Sequence, residues 1–258
     1  MNPFFDLSGK VALVSGGSSG LGLAIAEGLL QQGARVYIAS RKPEALAAAV
    51  EQLSKVGPCV GLQADLSDGE GSKALAARFA EQETRLDILV NNAGNSWGAP
   101  LESFPDEAWN RVMNLNVRGV FNLTRDLLPL LRAAASPRSP ARVINIGSVA
   151  GIISSSLGAY SYGASKAAVH QLTRNLAREF AEHHINVNAI APGRFPSRLT
   201  RHLTEDSEAY AADCRMIPLG RFGEPEEIAA LAVSLASTAG AYMTGAIIPI
   251  DGGASLMA

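Results

Sequence analysis

Short runs of β-branched and aliphatic residues alternate along the chain with longer segments rich in Ala, Leu, Glu and Lys. The runs Val11–Val14, Arg35–Ala39, Cys59–Ala64, Leu86–Val90, Arg142–Ile146, Ile185–Ile190 and Ala246–Ile250 predict strands. Several run on without a polar alternate, the pattern of parallel strands covered on both faces. Helical spacing predicts helices over about 21–32, 43–55, 69–83, 105–133, 160–182 and 225–237, the second opening with Pro43 at its first position. Strand and helix take turns from end to end. The expectation is an α/β fold: a doubly wound, mostly parallel sheet of about seven strands flanked by helices, in a single domain spanning 1–258. The stretch 193–221 follows a strand end and has weak periodicity, which marks it as a lid over the sheet's C-terminal edge.

Composition narrows the classes. At 258 residues a compact fold buries roughly 75% of the surface of its extended chain, enough for a core without disulfides. The 22 basic residues against 24 acidic ones leave a net charge of -2, which gives no electrostatic footprint for nucleic acid. Cys59 and Cys214 stand apart, with no CxxC, and point to a reducing, cytoplasmic setting. No apolar run approaches the roughly 18 residues of a membrane span, and Met1–Val14 lacks the pattern of a secretory signal. No HExxH occurs, and His183 and His184 are adjacent, a poor helical geometry for joint metal binding, so no metal is expected. The 25 glycines are the number that needs a placement.

Three of them, Gly16, Gly20 and Gly22, fall in Ser15-Gly-Gly-Ser-Ser-Gly-Leu-Gly22 between the first strand and the first helix. Glycines there permit a tight turn, let backbone approach a pyrophosphate and bring helix close to strand. The free N–H groups of the helix start, with Ser18, Ser19, Gly20 and Leu21 around them, suit phosphate oxygens. The second strand ends in Ser40-Arg41-Lys42. In a Rossmann fold an acid near this point takes the ribose hydroxyls of NAD, whereas a base accommodates the 2′-phosphate of NADP. Arg41 and Lys42 could simply be solvated, but they precede the helix at Pro43, where cations oppose the helix dipole. An anion between them resolves that conflict, so NADP(H) is the expected cofactor. Asp65-Leu66 and Asn91-Asn92-Ala93-Gly94 follow the third and fourth strands, at the edge where open α/β sheets bind ligands.

Ser148 follows the fifth strand, and Tyr162 and Lys166 lie four apart on one helix face. A phenol with pKa near 10 is a poor acid–base group at neutral pH; an ammonium beside it favours the phenolate and lowers that value. A serine hydroxyl can hold a carbonyl oxygen next to the phenol. These groups suit hydride transfer, in which an oxygen needs a proton as its carbon receives the hydride. Tyr160 competes on paper but has Ala164, not a lysine, at the fourth position.

With these residues in place, the chain resembles the classical short-chain dehydrogenases/reductases over essentially its whole length. The matching motifs are Ser15–Gly22, Asp65, Asn91–Gly94, Asn116, Ser148, Tyr162-xxx-Lys166 and Pro192-Gly193. The resemblance implies that Tyr162 is the general acid/base, that Ser148 orients the carbonyl, and that Lys166 binds ribose and tunes Tyr162. It further implies that Asn116 helps hold a proton-relay water, that Asn92 shapes the cofactor floor, and that Ser197 contacts the nicotinamide amide after Pro192 and Gly193. Departures from the pattern are Ser15 and Ser197 in place of threonine, and Ser19 where many NADPH-dependent members carry a base. The segment between Ser148 and Tyr162 is about one residue longer than in many relatives. Ser96–Ala99, Val143–Gly151, Ala191–Arg198 and Ala241–Gly245 are similar to the NADPH-dependent β-ketoacyl reductases that bacteria use in rhamnolipid synthesis. That similarity implies reduction of 3-oxoacyl chains carried as thioesters on coenzyme A or a carrier protein, and the family implies a homotetramer with the Tyr162–Glu182 helix at an interface.

Trp97, Phe195, Leu199 and Met216 either line an apolar pocket beside the nicotinamide or cover the core. Arg194, Arg198 and Arg201 either form a solvated face or meet a thioester carrier's phosphate. His170, four after Lys166, can be drawn into the site on paper, but packing or facing a subunit interface is the preferred reading. The rival functions are a sugar, polyol or steroid dehydrogenase, and a non-catalytic nucleotide sensor; the latter has no need of a proton donor.

Overall fold

The computed structural model describes residues 3–154, 158–196 and 207–256. Its seven strands are β1 (Val11–Ser15), β2 (Arg35–Ser40), β3 (Cys59–Gln63), β4 (Ile88–Asn91), β5 (Ala141–Ile146), β6 (Ile185–Pro192) and β7 (Ile247–Ile250). They form one sheet in the order β3-β2-β1-β4-β5-β6-β7, and every pairing is parallel. The order reverses between β1 and β4, where Ser15 lies opposite Asn91. Open α/β sheets place ligands in the crevice at such a switch point.

Side chains alternate across the strands and build a core on each face. Ala12 and Val14 of β1 join α1 (Gly20–Gln31), α2 (Pro43–Leu53) and α8 (Pro225–Ala236) on one side. Val11 and Leu13 join α3 (Gly69–Ala80), α5 (Val120–Ala134) and α6 (Tyr160–Phe180) on the other. Gly28 of α1 lets α8 approach closely: a Cβ there would stand 3.0 Å from that of Ala229.

Two predictions need correction. The helix expected over 105–133 is α4 (Asp106–Met113), a π-helical stretch Asn114–Gly119, and α5. The extra residue per turn leaves the apolar stripe continuous while re-aiming the residues inside the bulge, among them Asn116. The stretch 193–221, read as a weakly periodic lid with no helix placed in it, contains α7 (Ser207–Arg215). Its Cys214 packs with Ile217, Phe222 and Tyr210 in a small core of its own. Ile217 and Phe222 come from loop residues further along the chain, which helical periodicity does not register.

Candidate active site

At the end of β1 the chain turns through Gly16 (φ 68°) into α1. Asn92, after β4, stitches this turn to its neighbour: its side-chain amide donates to Ser15 O (3.0 Å) and Gly16 O (3.1 Å). Ser15 Oγ accepts from the backbone of Asn92 (3.0 Å) and Ala93 (3.1 Å), so serine serves where the family pattern has threonine. A Cβ on Gly22 would collide with the Asn92 amide and the Gly16 carbonyl. The N-terminus of α1 has neither a side-chain cap from Ser19 nor an acid in its first turn, which leaves its N–H groups and positive dipole end for an anion. Ser18 donates to Ser40 Oγ (2.8 Å) at the end of β2.

Beyond Ser40, Arg41 and Lys42 are exposed. Arg41 reaches Asp65 Oδ2 across the β2–β3 edge at 3.8 Å. Burial pushes the Asp65 carboxyl up, but hydrogen bonds from Ser67 and the Arg41 charge outweigh it and hold the group below its ordinary range. The Leu66 side chain lies in the α3–α5–α6 core. Any contact of Leu66 with a ligand in the crevice therefore falls to its backbone.

Three elements converge past β4 and β5. A Cβ on Gly94 would lie 3.2 Å from Asn116 Oδ1 and 3.7 Å from Lys166 Nζ. Asn116 accepts from Asn95 N (2.9 Å) and donates to Asn95 O (2.9 Å) and Ser165 Oγ (3.0 Å). Its side chain thereby fastens the π-helical stretch to the β4 loop and to α6. Sequence spacing singled out neither Asn95 nor Ser165 for this. Lys166 is buried and donates to Ile146 O at 2.8 Å. Its ammonium lies 5.5 Å from the centre of the Tyr162 ring, and burial pulls its pKa down to about 8.

Tyr162 departs from expectation. Burial raises its pKa, and this outweighs the lowering by a hydrogen bond with Ser148 and by the charge of Arg194. Lys166 was expected to bring the phenol down. Instead its own charge is disfavoured by the same burial, and it is directed to a backbone carbonyl.

The lid also differs. Phe195 is buried in the α1–α2–α8 core, against Gly223, and does not line a pocket. Arg194 is not a free cation: its Nε meets Asp213 Oδ2 of α7 at 2.7 Å. Trp97 is half-exposed beneath the Arg111 guanidinium, 4.9 Å from its ring centre, and Met216 is exposed. Pro192 ends β6, and Gly193 packs so tightly on Asp251 that a Cβ would stand 2.7 Å from its Cβ. Ser197, Arg198, Leu199 and Arg201 lie outside the described residues.

The family model described as enoyl-(acyl carrier protein) reductase matches residues 16–255. The chain belongs to the short-chain dehydrogenase/reductase family. It is 60% identical over 253 residues to the rhamnolipids biosynthesis 3-oxoacyl-[acyl-carrier-protein] reductase of Pseudomonas aeruginosa, covering 98% of this chain and 99% of that one. A member with a different activity, the L-tagatose-forming galactitol 2-dehydrogenase of Cereibacter sphaeroides, is 40% identical over 250 residues, 96% of each chain. Among solved structures, the Pseudomonas aeruginosa RhlG/NADP active-site complex superposes with a TM-score of 0.97 at 59% identity, covering 99% of this chain and 100% of that one. Among the described residues no helix is long and apolar enough to cross a membrane.

Proposed function

We propose that the protein reduces 3-oxoacyl thioesters to 3-hydroxyacyl thioesters with NADPH. The observation that carries this is the meeting of Ser148, Tyr162, Lys166 and Asn116 at the C-terminal ends of β4 and β5. The residues present fit the cofactor. The uncapped start of α1 and the tight Gly16–Gly22 turn accept a pyrophosphate through Ser18, Ser19, Gly20 and Leu21. Exposed Arg41 and Lys42 take a 2′-phosphate beside Asp65, and Leu66 offers its backbone. Asn92, Ala93 and Gly94 would form its floor, Tyr162 and Lys166 would hold the ribose, and Pro192 and Gly193 would lie beside the nicotinamide; Ser197, which the family pattern assigns to the nicotinamide amide, lies outside the described residues. Bound NADPH supplies a hydride to the carbonyl carbon.

The chain's own groups handle the proton. Burial keeps Tyr162 protonated at neutral pH, so its hydroxyl can donate to the carbonyl oxygen, with Ser148 Oγ holding that oxygen in place. General acid catalysis of this kind contributes about 10²- to 10⁴-fold. Lys166 and Arg194 place positive charge near the phenolate left behind, and Asn116 keeps the relay side of the site ordered.

The acyl reading is preferred over the polyol reading because the identity to the 3-oxoacyl reductase, 60%, exceeds the 40% to the galactitol dehydrogenase. Trp97, Ile152 and Met216 add exposed apolar side chains, which suit an acyl chain better than a polyhydroxylated substrate. The carrier is an acyl carrier protein or coenzyme A, the assembly a homotetramer through α6, and the setting the cytoplasm, where the free thiols of Cys59 and Cys214 stay reduced. Light scattering checks the tetramer.

The deciding experiment follows NADPH oxidation with 3-oxoacyl thioesters, 2-enoyl thioesters, simple ketones and sugars, for the wild type and Tyr162→Phe. The 3-oxoacyl thioesters should turn over fastest, and Tyr162→Phe should lose turnover by at least about 10²-fold while still binding NADPH. Turnover confined to enoyl thioesters or sugars, or an unaffected Tyr162→Phe, would overturn the reading.

A further inference from the structure

We propose that His170 is the positioning residue for Ser148, its imidazole fixing the Gly147–Gly151 turn that carries the Ser148 hydroxyl. The inference rests on the role assigned above to Ser148. His170 follows Lys166 by one helical turn on α6, so Tyr162, Lys166 and His170 share one face of the helix. It is almost wholly buried, at 3% exposure.

The turn is shaped around the ring. A Cβ on Gly147 would collide with His170 Nε2 and lie 2.7 Å from Cδ2. A Cβ on Gly151 would meet the α6 backbone first, 2.6 Å from Ala167 N and from Lys166 C, and would lie 3.0 Å from Cε1. Gly147 therefore makes the space that the imidazole fills, and Gly151 lets the turn close onto the α6 backbone beside it. Its polar edges are also engaged. Ser148 N–H points to Nε2 at 3.5 Å, the long limit of a hydrogen bond and so a weak one. A backbone interaction with Gly151 favours the protonated ring and raises its pKa, opposing the burial. Burial, then the charges of Lys166 and Arg174, hold the ring neutral, with a pKa of about 4. A neutral ring is what one donor and one acceptor edge require.

The rest of the turn is tied down by backbone: Gly147 N donates to Ile190 O (2.7 Å) and Gly151 N to Ser148 O (3.0 Å). Ala150 N donates to Ser148 Oγ (3.2 Å), which leaves the hydroxyl hydrogen to point into the site. His170 is thus the side chain that fixes this turn from the α6 side, and it does so without facing substrate.

The test compares His170→Leu, His170→Gln and His170→Asn with the wild type. Readouts are kcat and KM for a 3-oxoacyl thioester, NADPH affinity by fluorescence, and melting temperature. Leu fills the space without either bond and should lower kcat about tenfold, with KM and NADPH affinity changed less than about twofold, since Ser148 orientation matters most as charge develops on the carbonyl oxygen. Gln keeps an acceptor toward Ser148 and should recover most of the loss; Asn keeps only the donor toward Gly151 and should recover less. In a Ser148→Ala background, His170→Leu should cost nothing further. Parallel losses of kcat, NADPH affinity and melting temperature, Asn outperforming Gln, or an undiminished penalty in the Ser148→Ala background would each overturn the proposal. If His170→Leu does not fold, the Gln and Asn pair decides alone. Full activity of Tyr162→Phe would sink the reading of the site itself, whereas an inactive Tyr162→Phe beside a fully active His170→Leu would sink only this inference.

Discussion

Lys166→Met should make the nucleotide-free protein more stable while abolishing turnover. Lys166 keeps its ammonium in a buried place, with Ile146 O at 2.8 Å and the Tyr162 ring beside it. Burial brings its pKa from 10.5 to about 8. Each pH unit of such a displacement is worth about 1.4 kcal/mol, so holding the charge there costs about 3 kcal/mol. Methionine removes that cost and fills similar space. It also leaves the Ile146 carbonyl without its donor, a loss of about 1 kcal/mol. The net gain is about 2 kcal/mol, or about 4–8 °C in melting temperature for a chain of this size. The sign follows from linkage. The folded pKa is depressed, so the penalty is fully present below about pH 8 and vanishes above about pH 10.5, the unfolded value. Urea unfolding of wild type and Lys166→Met without nucleotide, at pH 7 and above pH 10, measures both the gain and its disappearance. A variant less stable than wild type at pH 7, or a difference independent of pH, would refute the reasoning.

Gly22→Ala should lower NADPH affinity by more than about tenfold, because its methyl collides with the Asn92 amide and Gly16 carbonyl that shape the phosphate turn; isothermal titration checks this, and unchanged affinity would contradict it. Arg41→Ala should raise KM for NADPH and leave that for NADH little altered, and an equal rise for both would remove Arg41 from 2′-phosphate recognition. His170 should also give an acid-sensitive native state. Its folded pKa of about 4 lies below the ordinary 6.5, so stability is complete above about pH 6.5 and declines toward pH 4, by up to about 3 kcal/mol. Urea melts of wild type and His170→Gln should diverge over that window, and parallel pH slopes would count against it.

What was legible in the sequence follows from what periodicity and spacing encode. Buried parallel strands are runs of apolar residues whatever lies around them, so β1 to β7 were placed within about two residues. The glycine turn was legible because its constraint is local: φ at Gly16 and crowding at Gly22 depend on the strand-to-helix connection itself. Asn116 shows the boundary. An amphipathic stripe continues across a π-helical bulge, so the pattern over 105–133 read as one helix and concealed the change of direction. Only the family resemblance singled out the residue that the bulge aims at Asn95 and Ser165. The helix α7 was hidden for a related reason, since its apolar side chains find partners in Phe222 and Ile217, outside the helix.

The Tyr162–Lys166 pair carries the same argument into the chemistry. Spacing of four fixes that the two groups are neighbours, and from neighbourhood alone Coulomb attraction between ammonium and phenolate follows. What spacing cannot carry is the solvent. Burial opposes charge on both groups, raising the tyrosine and lowering the lysine, so each is pushed toward its neutral form. A neutral phenol is the form that can donate a proton, and a lysine with a pKa of about 8 is close to exchanging one with water at physiological pH. Burial therefore keeps the phenol in its proton-donating form while making it a weaker acid, and the Ser148 hydrogen bond and the Arg194 charge oppose that rise. His170 extends the principle one turn further along α6: its four-residue spacing was visible, but its work depends on being enclosed between Gly147 and Gly151.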